Sequence, residues 1–227
     1  MEPGFIWNNE HSNEKNIKVI ALPPITSVDE RVEKITIPGR NGYLTQSDGA
    51  YEGEVKEVEY DFKGANVDDL KKWLTGSGKV RFSNEPDRYY KARIINKISL
   101  EQIVGLLHTG LIQFDCQPFG YLLIGDEIIE LTKPEVIYNP GTIYSEPYIK
   151  IYGNGDITLK VNDNSLIIKE VNDYVEIDTE LDEIYKGTTS WENNASGDTP
   201  IFSGEDISID WIGNVTKIEI IPHWRCI

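Results

Sequence analysis

In the stretch YIKIYGNGDITLKVNDNSLIIKEVNDYVEID, residues 148–178, apolar and polar residues alternate in short runs broken by glycine, asparagine and aspartate. A period of two is that of a strand with one buried face. The runs at 148–152 and 157–161 flank Gly153-Asn154-Gly155-Asp156, whose composition predicts a hairpin turn. Further runs at 166–169, 174–177, 207–211 and 217–221 are separated by Asn162-Asp163-Asn164, Asn172-Asp173 and Ser196-Gly197-Asp198. Strands spaced about 8–12 residues apart, with no helical pattern between them, predict a β-sandwich.

Upstream, Val58, Tyr60 and Phe62 alternate with Glu57, Glu59 and Asp61, which predicts another one-sided strand. Val32, Ile35 and Ile37 approach a strand that stops at the turn-rich Pro38-Gly39-Arg40-Asn41-Gly42. Val80 and Phe82 open a strand, Asn84-Glu85-Pro86-Asp87 break it, and 89–95 return as a hairpin partner. One helix is specified. Asn66 caps it, Asp68 and Asp69 favour its N-terminus, Val67, Leu70, Trp73 and Leu74 share one face, and Gly76 stops it. The stretch 100–108 fits either a strand or a helical turn, with strand preferred. The first half is therefore strand-rich with one helix laid across a sheet.

The 227 residues carry a net charge of −16, with 39 % hydrophobic and 26 % charged residues. That length suits one large or two small domains, and the apolar fraction excludes a disordered chain. No apolar run approaches the roughly 18 residues of a membrane span, and no signal peptide is visible. Charge is uneven: residues 1–120 hold 15 basic and 18 acidic side chains, residues 121–227 hold 7 and 20. The shift from −3 to −13 coincides with Gln117-Pro118-Phe119-Gly120, so a boundary is expected near residue 120. Such acidity argues against a surface that wraps nucleic-acid phosphates.

Candidate chemistry is sparse. Cys116 and Cys226 stand far apart, and His11, His108 and His223 are scattered; no pair has zinc-ligand spacing, and no disulfide framework is expected. Gly76-Ser77-Gly78-Lys79 has Trp73 where a phosphate-binding loop needs its first glycine and Val80 where it needs Ser or Thr, so it reads as a helix-to-strand turn. The acidic runs at 178–183 and Glu205-Asp206 could hold calcium or supply a glycosidase acid/base pair, but they lack the spaced loop that converges oxygens on calcium and read as solvated faces. Trp191, Trp211 and Trp224 could each stack on a sugar; Trp211, at the end of a strand, reads as core, and Trp191, in the polar loop TTSWENNASGD, is the one to suspect. No catalytic residue, cofactor site or metal site is assigned.

Several stretches carry a family resemblance: IPGRNG (37–42), SDGAYE (47–52), FSNEPDRYYKARI (82–94) and CQPFGY (116–121), then NPGTIYSEPYIKIYGNGDITLKVN (139–162), YVEIDTELDEIYK (174–186) and WIGNVTKIEIIPHWR (211–225). On these the chain resembles the distal tail (Dit) proteins of long-tailed phages and prophages, departing from the pattern at His223, where arginine is expected. The resemblance implies a mainly β protein: an N-terminal tail-tube-like β domain with one α-helix (1–120), which forms a hexameric ring, and a C-terminal galectin-like β-sandwich (121–227). It further implies a non-enzymatic virion component made in the bacterial cytoplasm and sited at the distal end of a siphovirus tail. Its partners would be the tail-tube protein, the tail-tip protein and peripheral receptor-binding proteins, with the genome passing unbound through the lumen and no membrane involved. The rival reading, from a different class, is a carbohydrate-binding adhesin module using Trp191.

Overall fold

The computed structural model describes residues 2–64, 66–98 and 101–227, which fall into two compact units, Met1–Gly120 with Ile227, and Tyr121–Cys226. The first unit contains β1 (Phe5–Trp7), β2 (Glu10–His11), β3 (Ile17–Ala21), β4 (Glu30–Ile35), β5 (Leu44–Tyr51) and β6 (Glu54–Lys63). Helix α1 (Val67–Trp73) follows, then β7 (Ser77–Phe82), β8 (Arg88–Ile94), β9 (Glu101–Val104) and β10 (Leu107–Leu122). The main sheet runs β2-β1-β7-β8-β10-β6-β3, with β9 also on β10, while β4 and β5 form a sheet of their own. Of the stretch 100–108, residue 100 lies outside the described residues, and the rest is β9, a turn and the start of β10.

The alternation at β6 places Val58, Tyr60 and Phe62 in the core and leaves Glu57 and Glu59 exposed. The same parity carries Lys56 inward. It is buried, held by Glu54 at 3.0 Å and lying 4.9 Å from the Tyr90 ring centre. An aromatic nucleus fills this core: Phe114 meets Phe5, Trp7 and Phe82 with ring centres 5.6, 5.4 and 5.8 Å apart. Helix α1 covers it as its sequence requires. The Asn66 side chain accepts the Asp69 N–H, Leu70 and Leu74 are buried, Trp73 stacks on Phe5, and the Trp7 indole N–H donates to the Trp73 carbonyl at 3.1 Å.

The second unit is built from β11 (Ile129–Leu131), β12 (Glu135–Tyr138), β13 (Tyr148–Val161), β14 (Asn164–Asp178), β15 (Glu183–Lys186), β16 (Thr189–Ser190), β17 (Ala195–Ser196), β18 (Asp206–Ile221) and β19 (Arg225–Cys226). Its sheet runs β11-β18-β13-β14-β15-β16, with β12 also on β18 and β17 on β14. The six short strands expected from the sequence are three long ones. Gly153-Asn154-Gly155-Asp156 is therefore not a hairpin turn, and Asn172-Asp173 does not end a strand; both lie inside continuous strands where the register slips. The hairpin between β13 and β14 turns instead at Asn162-Asp163, with Asn162 at φ +50°.

These slips align. β13, β14 and β18 all change register near Gly153–Ile157, Glu170–Asp173 and Gly213–Thr216, forming a crease across the sheet. Bulges invert parity: β14 buries Leu166 and Ile168 before the crease but Val171, Val175 and Ile177 beyond it, and β18 buries Ile207 and Ile209, then Ile218 and Ile220. One sheet thus curls over its own apolar face, and a single core cluster takes in residues from both halves. Each such fully buried Ile or Leu contributes roughly 1.5–3 kcal/mol. Backbones approach closely at the crease. A Cβ on Gly153 would lie 2.4 Å from the Asn214 carbonyl oxygen, and one on Gly213 2.5 Å from that of Asp156. The side chains of Asp156 and Asn154 accept the N–H groups of Glu170 and Asp173 at 3.0 and 3.2 Å, satisfying donors the bulge releases.

Candidate functional site

The β4–β5 hairpin is the most exposed regular element of the first unit, with every residue of β4 exposed. Antiparallel pairing from Val32↔Ser47 to Ile35↔Leu44 holds it together. So do the Arg31–Asp48 ion pair at 2.9 Å, a Ser47–Glu30 hydrogen bond and Lys34 over the Tyr43 ring. The Ala50 N–H and the Arg31 guanidinium hold the Asp48 carboxyl below its usual range. Its base is tied by Thr26, whose hydroxyl donates to Glu54 at 2.6 Å, and by the Glu52 N–H to the Asp29 carbonyl at 2.9 Å. Towards its tip, Val32, Ile35, Ile37, Tyr43 and Leu44 show 37–57 % of their surface to solvent. An isolated two-stranded ribbon is marginal in water, and apolar groups on both faces call for a covering partner. The sequence revealed the strand but not this exposure.

Residues singled out in the sequence are dispersed. Trp191 is half-buried against the second core, and its indole N–H donates to the Lys169 carbonyl at 3.1 Å. Trp224 is buried beside Phe202, and Trp211 packs partly buried within β18 rather than at its end. Of Gly76 to Lys79, only Gly76, at φ +83°, lies in the helix-to-strand turn; Ser77 to Lys79 already belong to β7, and the Lys79 N–H donates to Asn8. Cys116 and Cys226 are free and buried, and burial pushes the Cys116 thiol up to about 12. His11 caps a 3-10 turn, His108 lies beside Phe62, and His223, at φ +50°, hydrogen-bonds the Glu146 carbonyl. In the run 178–183, Asp178 accepts the Leu181 N–H and Asp182 the Thr199 hydroxyl. Among the described residues no group of three His, Cys, Asp or Glu could hold a metal ion, and no helix is long and apolar enough to cross a membrane.

A second feature escaped the sequence. On the outward face of the second unit, cross-strand pairing sets Lys150 beside Glu176 and Glu219, with Tyr152 between Tyr174 and Lys217. Lys150 lies 4.0 Å from the Tyr174 ring centre and 3.5 Å from Glu176, which accepts the Tyr148 hydroxyl at 2.6 Å. Lys217 bridges Glu219 at 2.7 Å and Glu130 at 3.0 Å, and the Tyr152 hydroxyl donates to Glu219 at 3.0 Å. The Lys217 ammonium lowers the Glu219 carboxyl below its ordinary value. Burial alone would raise Glu176, but the Tyr148 hydroxyl, the Gly187 N–H and Lys150 together bring it down. Ammonium groups sit over the Tyr152 and Tyr174 rings, so this lattice is a locked polar face, not a bare aromatic platform.

With this architecture in place, the chain can be set beside known proteins. Residues 10–116 match the family of phage tail protein RIFT-related domains, so the first unit carries a phage tail domain. The whole chain is similar to the crystal structure of SPP1 Dit (gp 19.1), described as a paradigm of the hub adsorption apparatus in phages that infect Gram-positive hosts. The TM-score is 0.75 at 15 % identity, covering 96 % of this chain and 97 % of that one. The family match covers the first unit, and the structural likeness shows that the fold of the whole chain is shared with this Dit protein. Among the described residues the chain is mainly β with one α-helix, as expected. No curated protein sequence matches it.

Proposed function

We propose that the chain is the structural hub at the distal end of a siphophage tail, a hexameric ring that joins the tail tube to the tail-tip protein. The observation that carries this reading is the β4–β5 hairpin. Its strands bond only to each other among the described residues, and its tip exposes apolar groups on both faces. A neighbouring subunit covers those groups, and a closed ring lets every copy both give and receive that cover. Residues 1–120 form the ring. Residues 121–227 form a galectin-like sandwich that anchors peripheral adsorption proteins. The acidic balance keeps the passing genome from binding, because a basic lumen would hold phosphates by counterion release. The protein is made in the bacterial cytoplasm and catalyses nothing.

Light-scattering mass with negative-stain imaging of the same peak tests the reading. Six chains of 25.8 kDa give about 155 kDa, and closed symmetry gives rings with a central hole. A chain that stays monomeric in the presence of tail-tube and tail-tip proteins, and binds glycans through Trp191, would replace the hub with the adhesin.

A further inference from the structure

The sequence holds two Asn-Gly pairs, Asn41-Gly42 in the loop between β4 and β5 and Asn154-Gly155 in the crease of β13. Their local geometry is closely matched. Both asparagines are exposed, both glycines hold φ +83°, and a Cβ on either glycine would meet nothing within 4 Å. What differs is how the asparagine is held. Asn154 pairs with Asn172 on one side and Asn214 on the other, and its side-chain oxygen accepts the Asp173 N–H at 3.2 Å. Asn41 lies beyond the last cross-strand pair of its hairpin, Ile35↔Leu44. Among the described residues neither its side-chain amide nor the Gly42 N–H has a hydrogen-bond partner, and the nearest backbone bond in the loop runs from the Arg40 N–H to the Ile37 carbonyl at 3.1 Å.

We propose that Asn41 is a site of spontaneous deamidation in the folded chain, and that the strands on either side of Asn154 protect its twin. The Gly42 nitrogen, having lost its proton to solvent, adds to Cγ of Asn41. The new C–N bond closes a five-membered succinimide, and the side-chain amide leaves as ammonia. Water then opens the ring at either carbonyl and leaves aspartate or isoaspartate, so one water is consumed, one ammonia is released and one negative charge is gained. Closure needs the asparagine to swing towards the next nitrogen, where glycine offers no Cβ to obstruct it, and only an untethered segment can make that movement. Asn154 reaches the same geometry only when its ladder opens. The new carboxylate falls among the exposed Ile37, Tyr43 and Leu44. One consequence rests on the hub reading: a charge placed where a neighbouring subunit covers apolar groups opposes ring assembly, so unassembled chain loses competence with age.

The test holds the full chain at 37 °C in mildly alkaline buffer and maps acid-quenched samples by peptic digestion and mass spectrometry. The peptide carrying Asn41 gains about 1 Da with time. It does so at least about tenfold faster than the peptide carrying Asn154, which converts only through local opening. In urea the two convert at similar rates, because the residue that follows is the same and the fold alone separates them. Asn41→Gln removes the gain from its peptide. A folded chain in which Asn154 keeps pace with Asn41, or in which Asn41 stays intact while the urea sample converts, overturns the proposal. For the consequence, Asn41→Asp is compared with fresh wild type by light scattering in the presence of tail-tube and tail-tip proteins, and the variant gives less ring. Equal ring yields overturn that consequence alone. A wild type that forms no ring overturns the hub reading, while the mass gain at Asn41 still decides the site.

Discussion

Replacing Gly213 by alanine tests whether the crease is what lets one sheet enclose its own core. Gly213 holds φ +123°, a conformation that costs an L-residue about 1–3 kcal/mol. The new methyl would also lie 2.5 Å from the Asp156 carbonyl oxygen and 3.2 Å from the Ile157 Cα, and backbone atoms yield poorly. Overpacking of this kind adds about 1–3 kcal/mol, for a combined loss of roughly 2–6 kcal/mol. Gly155→Ala in the same crease separates the two contributions, because Gly155 has φ +83° but no atom within 4 Å of its Cβ position. With a urea slope of about 2 kcal/mol/M, Gly213→Ala lowers the unfolding midpoint by roughly 1–3 M, clearly more than Gly155→Ala does. Equal losses for the two variants would show that close backbone approach plays no part and would refute the account of the crease.

Ile35→Ser with Leu44→Ser changes the melting of the single chain by no more than about 0.5 kcal/mol, since both side chains are already exposed, yet lowers the assembled mass on light scattering. Trp191→Ala removes core-edge packing and the hydrogen bond to Lys169, costing about 2–4 kcal/mol in denaturant titration, and leaves glycan-array signals at background. Glu176 and Glu219 both titrate below their ordinary 4.5 in the folded chain. Their stabilisation is complete above that value and is lost as pH falls through the lowered ones. Calorimetry from about pH 5 to pH 3 should therefore show a steeper fall in Tm for the wild type than for Glu219→Gln. Asn66→Ala, which strips the cap of α1, costs about 1 kcal/mol in the same titration.

Elements whose physics is local were legible in the sequence. The alternation at Val58, Tyr60 and Phe62 and the cap, face and stop of α1 need no knowledge of distant residues. The crease was not legible, because glycine, asparagine and aspartate serve a tight turn and a bulge equally well. Only the partner strands decide between them: Asn154 and Asp156 bond across to Asp173 and Glu170 instead of closing a loop. Lys56 could have been placed by parity alone, two residues before Val58, but its charge argued for the surface until Glu54 and Tyr90 gave it partners. Of the candidate surfaces, the sequence located the β4 strand and Trp191, but not β5, whose run Leu44–Tyr51 lacks a clear alternation. Exposure of the hairpin tip and the tyrosine–lysine lattice both depend on which strands lie side by side.

β13, β14 and β18 each pass through the crease without interruption, and that continuity has a mechanical consequence. A sandwich of two independent sheets can be prised open by rupturing side-chain packing alone. Here a tug on one layer is transmitted through covalent main chain to the other, and parting the layers means stripping ladders along three long strands at once. The second unit is thereby built to take load as a single stiff body.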